Sequence, residues 1–370
     1  MNEPSPDDEA TRRGSPPGEQ MAGEARGFIP PSNASTRGVP GQQHAAMLTQ
    51  VTRRAMATEF VVMIPAHAVT MVELVVTTLE RLDEIESRLT IYQPQSEVSQ
   101  INERASREPV PVSESTFRLL ERSLHWSERT KGAFDITAGP LVKAWGFTQR
   151  RGKKPTADEI EAARRRVGYE HLKLDGAART VRFMQSDMSI NLGAIGKGDA
   201  LDQIADAFRE GGLHDFLIHG GNSSVLAAGD QMAGSGEGWS VGLAHPTKPK
   251  RRLAGLRLRN QSLATSGSGK QFFHHRGRRY GHVIDPRTGN PSGDLSALTV
   301  LMDSAADADA CATGLYVAGS EVIRELMPCP WLTGLVMMQD GDRQDSVRVE
   351  SYGEIDWVEP PQENVSRTET

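Results

Sequence analysis

The sequence predicts an α+β fold, with mixed or antiparallel sheets and helices flanking them. Three observations carry this prediction. Short apolar runs with period-two alternation recur through residues 171–350, which is the strand pattern. Between them lie segments whose apolar residues recur at three- and four-residue spacing, the pattern of a helix buried on one face. The two kinds are interspersed rather than strictly alternating, which disfavours a doubly wound parallel sheet. No repeat at a period of about 20–50 residues appears.

The chain is 37% hydrophobic over 370 residues, low for a globular protein, and its ends account for that. Residues 1–46 are rich in Pro, Gly, Ser, Asp, Glu and Arg and nearly free of large apolar side chains. Such a stretch buries too little surface to offset the entropy of ordering, so a disordered tail is expected. Residues 359–370 have the same character. The remaining span, 47–358, is expected to form one domain.

Residues 47–65 form a β-rich run ending at Pro65. Residues 67–89 follow as a long helix. Val72, Val75, Leu79, Leu82, Ile85 and Leu89 keep the helical spacing, with Arg81, Asp83 and Glu84 on the other face. Pro94 breaks the pattern, and Ser96 begins a new capped turn. Ser113 opens a second amphipathic helix over 113–130. Residues 132–147 are a loop and then a short apolar helix, with Pro140 in its first turn. Thr156 and Glu159 have the capping-box spacing, and that helix ends near Gly168. Strands are expected at 171–174, 180–184 and 187–192, then a helix at 197–210 stopped by Gly211 and Gly212. Two strands, 216–219 and 223–228, are split by Gly220-Gly221-Asn222. Further strands fit 238–244, 253–258, 261–265, 271–274, 280–284 and 295–302. Helices at 305–318 and 320–327 precede strands at 331–338 and 346–350.

Composition narrows the function class. Net charge is −6, and no basic face or aromatic ladder stands out, which disfavours nucleic acid as a partner. The block 150–154 (RRGKK) reads as a solvated turn. The two cysteines, Cys311 and Cys329, lack a CxxC spacing; they suit a reducing compartment rather than a disulfide framework. No stretch approaches the ~18 apolar residues of a membrane span, and no apolar signal core follows Arg12-Arg13. The expected location is the cytoplasm.

Four stretches can carry chemistry. Residues 189–202 (SINLGAIGKGDALD) enter as a strand, turn through Gly193, Gly196 and Gly198, and leave as a helix. A glycine turn at a helix N-terminus suits an anion, and Lys197 adds a mobile cation. The same stretch also reads as a tight turn with a surface lysine, and it matches neither the dinucleotide fingerprint nor a P-loop. Asp309 and Thr313, four apart on a helix, project from one face. With a nearby carbonyl they suit a hard cation such as Mg²⁺. Alternatively, Asp309 serves the helix dipole and Thr313 bonds back to a carbonyl. Residues 263–269 (LATSGSG) offer hydroxyls and N–H groups to phosphate or ribose, or are a hairpin loop. In residues 280–291 (YGHVIDPRTGNP), His282 and Asp285 either flank a ligand or belong to a hairpin whose Asp285 bonds its own turn. Histidines at metal spacing and a G-x-S-x-G elbow are absent.

Taken in order, six motifs resemble those of the ApbE family, the FAD:protein FMN transferases, from about Met56 to about Ile355. They are Met56-Ala-Thr-Glu-Phe; Tyr92 with Ser96-Glu97 and Asn102; Gly132-Ala-Phe-Asp-Ile-Thr with Pro140 and Trp145-Gly-Phe; Asn191-Leu-Gly-Ala-Ile-Gly-Lys-Gly; Ala264-Thr-Ser-Gly with His282-Val-Ile-Asp-Pro-Arg-Thr-Gly; and Ala308-Asp-Ala with Thr313. The resemblance implies a single catalytic domain of T-fold-related architecture. It implies an Mg²⁺-dependent enzyme whose substrate, FAD, is cleaved at the pyrophosphate. FMN passes through a phosphoester onto a Thr or Ser hydroxyl of an acceptor flavoprotein, and AMP leaves. An FAD pyrophosphatase and a non-catalytic flavin-binding protein are the alternatives.

By resemblance, Met56, Tyr92, Ala133, Phe134, Asp135, Asn191, Lys197 and Ile284 fall at FAD contacts. Ala194, through its carbonyl, and Asp309 and Thr313, through side chains, fall at metal ligands. Asp285, or a water it orients, is the candidate for taking the acceptor proton, and Lys197 adds a donor at the reacting phosphate. Three positions depart from the family pattern: Asn191 where Asp is common, Asp199 where an aromatic is common, and Ala312 where some members carry a carboxylate ligand. Members are often exported lipoproteins. No lipobox is seen here, which implies an intracellular target.

Overall fold

The structure, a computed structural model, describes residues 28–30, 47–148, 152–267, 272–342, 346–362 and 365–367. Its centre is a nine-stranded sheet. From edge to edge the strands are Val365–Arg367, Val347–Gly353, Gly334–Asp340, Ala297–Met302, Gln261–Gly267, Ser224–Ala228, Phe216–Gly220, Thr58–Pro65 and Leu48–Ala55. All neighbours run antiparallel except the parallel edge pair of Val347–Gly353 with Val365–Arg367. The fold class is therefore α+β, as the mixed order of elements predicts.

Both faces of this sheet are buried, and the period of two sorts them. Val62, Phe216, Ile218, Leu226, Ala264, Leu298 and Met337 point to the helices. Their chain neighbours Met63, Leu217, Val225, Leu263, Ala297 and Met338 point the other way, against a four-stranded sheet that supplies Trp239, Val241, Leu256 and Leu258. Because neither face of the central strands Phe216–Gly220, Ser224–Ala228 and Ala297–Met302 meets water, these read as continuous apolar runs. Among the described residues no helix is long and apolar enough to cross a membrane.

Three expectations change. Residues 47–65 fold back on themselves around Met56 and Ala57, both at positive φ (52° and 59°). The sequence lacks the Asn-Gly signal of such a turn, and Glu86 Oε2 holds it by accepting the Met56 N–H at 2.9 Å. Residues 187–192 are not a strand. Ser189 makes one isolated bridge to Ala138, and Asn102 takes both backbone groups of Ile190, accepting its N–H at 2.7 Å and donating to its carbonyl at 3.0 Å. A side-chain amide there does the work of a neighbouring strand. The third change lies in the terminal stretches. Phe28–Ile29 pairs with Leu243 and Gly242, and Val365–Arg367 with Val349–Ser351. These residues close open sheet edges, whose unpaired N–H and C=O groups recruit any available backbone. Residues 1–27 and 31–46 of the expected tail lie outside the described residues, as do 150–151, 268–271, 363–364 and 368–370 from other expectations.

Candidate functional site

Two helices, Gly196–Glu210 and Ala305–Ala318, meet near their N-termini. Gly198 makes this possible: a Cβ there would fall 2.2 Å from the Ala305 carbonyl oxygen. Each helix caps the other. Helix Gly196–Glu210 begins after Ile195, which offers no capping side chain. Its Gly198 N–H donates instead to Asp309 Oδ2 at 2.8 Å. In return Asp202 accepts from the N–H groups of Ala305 and Ala306, at 2.8 and 3.1 Å, and from Ser304 Oγ at 2.7 Å. The N–H groups that each helix start leaves unpaired are thus met by carboxylates from its partner.

Asp309 is 7% exposed. Its other oxygen accepts from Ser224 Oγ at 2.6 Å. Burial pushes this carboxyl upward, with the nearby Lys197 charge as the largest opposing influence. One turn on, Thr313 Oγ1 lies 3.2 Å from Ser266 Oγ. The predicted pair therefore shares a helix face and meets two strand hydroxyls. Among the described residues, no three His, Cys, Asp or Glu side chains gather as a metal site. A cation here would rely on one carboxylate and neutral oxygens, a donor set suited to Mg²⁺ that keeps substrate phosphates as further ligands. Ala312 is fully buried and adds packing to the helix.

The residues expected at the flavin divide into two groups. Met56, Asn191 and Lys197 gather at the start of helix Gly196–Glu210, while Phe134 packs farther along helix Ala305–Ala318, at Gly314. Met56 Cε would lie 3.4 Å from a Cβ on Gly196, and Phe134 Cβ 3.1 Å from one on Gly314. Asn191 donates its N–H to the Ile136 carbonyl, and its Oδ1 accepts from Gly193 N–H, both at 2.8 Å. Ala133 is buried beside Phe134. Asp135 shapes the same loop: Oδ1 accepts from Thr137 N–H and Oγ1, both at 2.7 Å, and Oδ2 from Tyr169 N–H at 3.0 Å.

The second group has its contacts elsewhere. Tyr92 is 71% exposed, and its hydroxyl reaches the Thr148 carbonyl. Ile284 packs into a satellite core with Leu141, Trp145 and Tyr280. Asp285 is bound within its own turn. Arg287 binds both its oxygens, Nε at 2.9 Å and Nη2 at 3.0 Å, and Arg287 N–H adds a third bond at 2.9 Å. A carboxylate held by its own turn in this way anchors the turn. Of the two readings of this stretch, the self-bonded turn is the one observed.

Asp202, Ser224 and Glu86 escaped sequence reasoning, and Ser266 enters it only as part of residues 263–269. Asp202 and Glu86 bond backbone far away in the chain, so no local spacing signals them. Ser224 and Ser266 left a trace: each continues the helix-facing alternation, Ser224 with Leu226 and Ala228, Ser266 with Ala264. A hydroxyl on an otherwise apolar strand face asks for a buried partner.

Burial pushes two carboxyls of this region, Asp135 and Asp199, up to about 6. Between the ordinary aspartate value and about 6 the folded chain then holds more protons than the unfolded one. Stability contributed by these groups therefore falls as pH rises through that window, and the loss is complete above it. The double variant Asp135→Asn/Asp199→Asn should show a shallower decline of melting temperature between about pH 4.5 and 7 than the native chain. Identical slopes would rule the assignment out.

The ApbE family's sequence profile matches residues 55–330. The chain is 31% identical over 313 residues to the FAD:protein FMN transferase of Escherichia coli (strain K12), covering 82% of this chain and 88% of that one. It is 32% identical over 250 residues to the FAD:protein FMN transferase of Vibrio cholerae, covering 66% and 73%. Among solved structures, the ApbE protein of Thermotoga maritima superposes with a TM-score of 0.74 at 26% identity, covering 83% of this chain and 97% of that one. The flavin transferase ApbE of Vibrio cholerae superposes with a TM-score of 0.72 at 27% identity, covering 83% and 97%.

Proposed function

The chain belongs to the ApbE family, and from that membership we propose that it is an Mg²⁺-dependent FAD:protein FMN transferase. FAD is its substrate, a Thr or Ser hydroxyl of a flavoprotein is the acceptor, and AMP is the leaving product. One observation supports the metal reading above the rest. Asp309 is a buried carboxylate whose hydrogen-bond partners, Ser224 Oγ and Gly198 N–H, are both neutral. An ionised group so placed favours a cation beside it, a role that Lys197 begins and a bound Mg²⁺ would complete. Asp309, Thr313 and the Ala194 carbonyl would hold Mg²⁺, which would offset charge developing on the transferred phosphoryl and on the AMP oxygen.

The chain's own groups add to this. Lys197, half buried in the first turn beside Asp309, brings a positive charge to the same point. The helix start favours anions there. Half-buried Met56 offers apolar surface suited to a flavin ring, Phe134 supports the region from within the core, and Asn191 fixes the Gly193 turn. Tyr92, Ala133, Asp135 and Ile284 complete the proposed flavin environment, with Asp135 acting through its loop. Two free thiols, Cys311 and Cys329, favour a reducing compartment, and we place the protein in the cytoplasm.

Incubation with FAD and MgCl₂, with and without a candidate acceptor flavoprotein, tests the proposal. AMP should appear by chromatography, cease on adding EDTA, and be matched by protein-linked flavin fluorescence on a denaturing gel. AMP without linked flavin for any acceptor would identify a pyrophosphatase. Bound FAD that yields no AMP would identify a non-catalytic flavin-binding protein.

A further inference from the structure

Thr58 Oγ1 is a buried hydroxyl that finds no hydrogen-bond partner among the described residues. The residue as a whole is 8% exposed. Buried hydroxyls are nearly always paired, and an exception needs a reason.

Its position supplies one. Thr58 follows the Met56-Ala57 turn and pairs with Ala55. By the alternation of its strand it faces the helices, as Phe60 and Val62 do. The turn from Gly220 to Ser224 runs alongside. Gly221 N–H donates to the Glu59 carbonyl at 3.0 Å, and the Ser223 carbonyl accepts from Thr265 N–H at 2.8 Å. This turn therefore separates Thr58 from Ser266, which contacts Thr313 and faces the same helices. Ser224, the donor to Asp309, lies on a strand between them. It is two strands from Thr58 in the sheet, on the order of 10 Å at the usual strand spacing. A line of hydroxyls thus runs across the end of the sheet, from the Met56 turn to the proposed metal centre.

The two ends of that line suit different parts of one substrate. Met56, whose methyl lies near Gly196, is the proposed neighbour of the flavin ring. Asp309 and Thr313 are the proposed neighbours of the pyrophosphate. Between ring and phosphate FAD has only the ribityl chain, an open polyol with free hydroxyls at C2′, C3′ and C4′. We propose that Thr58 reads this chain, its hydroxyl sharing a hydrogen bond with one of the ribityl hydroxyls. The inference rests on the transferase reading, which makes FAD the substrate. Both partners can donate or accept, so the pair forms in either direction. Rotation about χ1 exchanges the threonine hydroxyl with its methyl group, so the hydroxyl can reach a ligand without moving the strand. The contact would also select. A buried hydroxyl paired only by the right ligand rejects one that leaves it unpaired. Nicotinamide dinucleotides, whose ribose is a closed ring, would do so.

Thr58→Val keeps the shape and removes the hydroxyl; Thr58→Ser keeps the hydroxyl. Both are compared with the native chain by thermal unfolding without ligand and by titration calorimetry with FAD in EDTA. The free valine variant should melt at the native temperature or up to about 3 °C above it, because no hydrogen bond is lost and a desolvated hydroxyl is removed. It should bind FAD about tenfold more weakly than the native chain, and the serine variant within about threefold of it. The 2′-, 3′- and 4′-deoxy analogues of FAD locate the partner. One of them should bind the native chain about as weakly as FAD binds Thr58→Val, and the two losses should not add when that analogue meets that variant. A clearly lower melting temperature for Thr58→Val would show that the hydroxyl is paired within the chain, and would overturn the proposal. So would equal FAD affinity in the native chain and Thr58→Val, or losses that add for every deoxy analogue. Failure of the transferase reading is seen separately: a native chain that binds FAD but releases no AMP once MgCl₂ is supplied loses the activity and keeps the Thr58 contact. A native chain that does not bind FAD would overturn both.

Discussion

Replacing Asp309 by Asn is expected to lower Mg²⁺-dependent AMP release by about 10²–10³-fold while leaving the fold in place. The two roles of Asp309 can be separated because its partners differ. Gly198 N–H can only donate, so the carbonyl oxygen of the new amide would turn to it. Ser224 Oγ can donate or accept, so it would rotate to receive the amide N–H. Both hydrogen bonds, at 2.8 and 2.6 Å in the native chain, survive in kind, and only the charge is lost. The melting temperature should therefore stay within a few degrees of the native value. Asp309→Ala differs: it also strips the cap from helix Gly196–Glu210, at about 1 kcal/mol, and leaves Ser224 without that partner. Activity lost in both variants, with stability lost mainly in the alanine one, is the expected pattern. Full activity in D309N would remove Asp309 from the metal site, and with it the strongest support for Mg²⁺.

What the sequence made legible follows from how far each signal reaches. Caps act within three residues, so Ser96, Ser113 and Thr156 announce helices that the structure contains, each accepting the expected N–H. Alternation acts within a strand, so most of the central sheet was readable. The order of strands was not, because it is fixed by which faces match across the two cores. The turn at Met56-Ala57 was hidden for a related reason: a carboxylate from Glu86, 30 residues on, stabilises it. The candidate site divides in the same way. Asp309 and Thr313 share a face by spacing alone, whereas reciprocal capping by Asp202 joins residues 103 apart. Asp285 lies at the other extreme. Its partners are local, and the turn chemistry of Asp-Pro-Arg-Thr-Gly already announces the bonds that Arg287 makes.

Gly198→Ala should be the most damaging single methyl addition at the helix crossing. Alanine is intrinsically the better helix former, by about 1 kcal/mol, so helix propensity alone favours the substitution. Packing reverses the sign. The new Cβ would lie 2.2 Å from the Ala305 oxygen, 2.4 Å from its carbon and 2.6 Å from Ala306 N. All three are backbone atoms at a helix start, and none can swing aside. The helices must part, which stretches the bond from Gly198 N–H to Asp309 and those from Ala305 and Ala306 to Asp202. A cost of about 2–3 kcal/mol is expected, a fall in melting temperature on the order of 5–10 °C. Asp309 moves with its helix, and a shift of about 1 Å in a positioned group can cost ~10²-fold in rate. Gly196→Ala is the matched control. Its Cβ would meet the Met56 methyl at 3.4 Å and Leu89 at 3.6 Å, both ends of flexible side chains, so its stability should equal or exceed that of the native chain. Thermal unfolding of the two variants side by side decides the point. If Gly198→Ala melts no lower than Gly196→Ala, the close crossing does not hold the two helix starts together, and the geometry that places Asp309 beside Lys197 needs another cause.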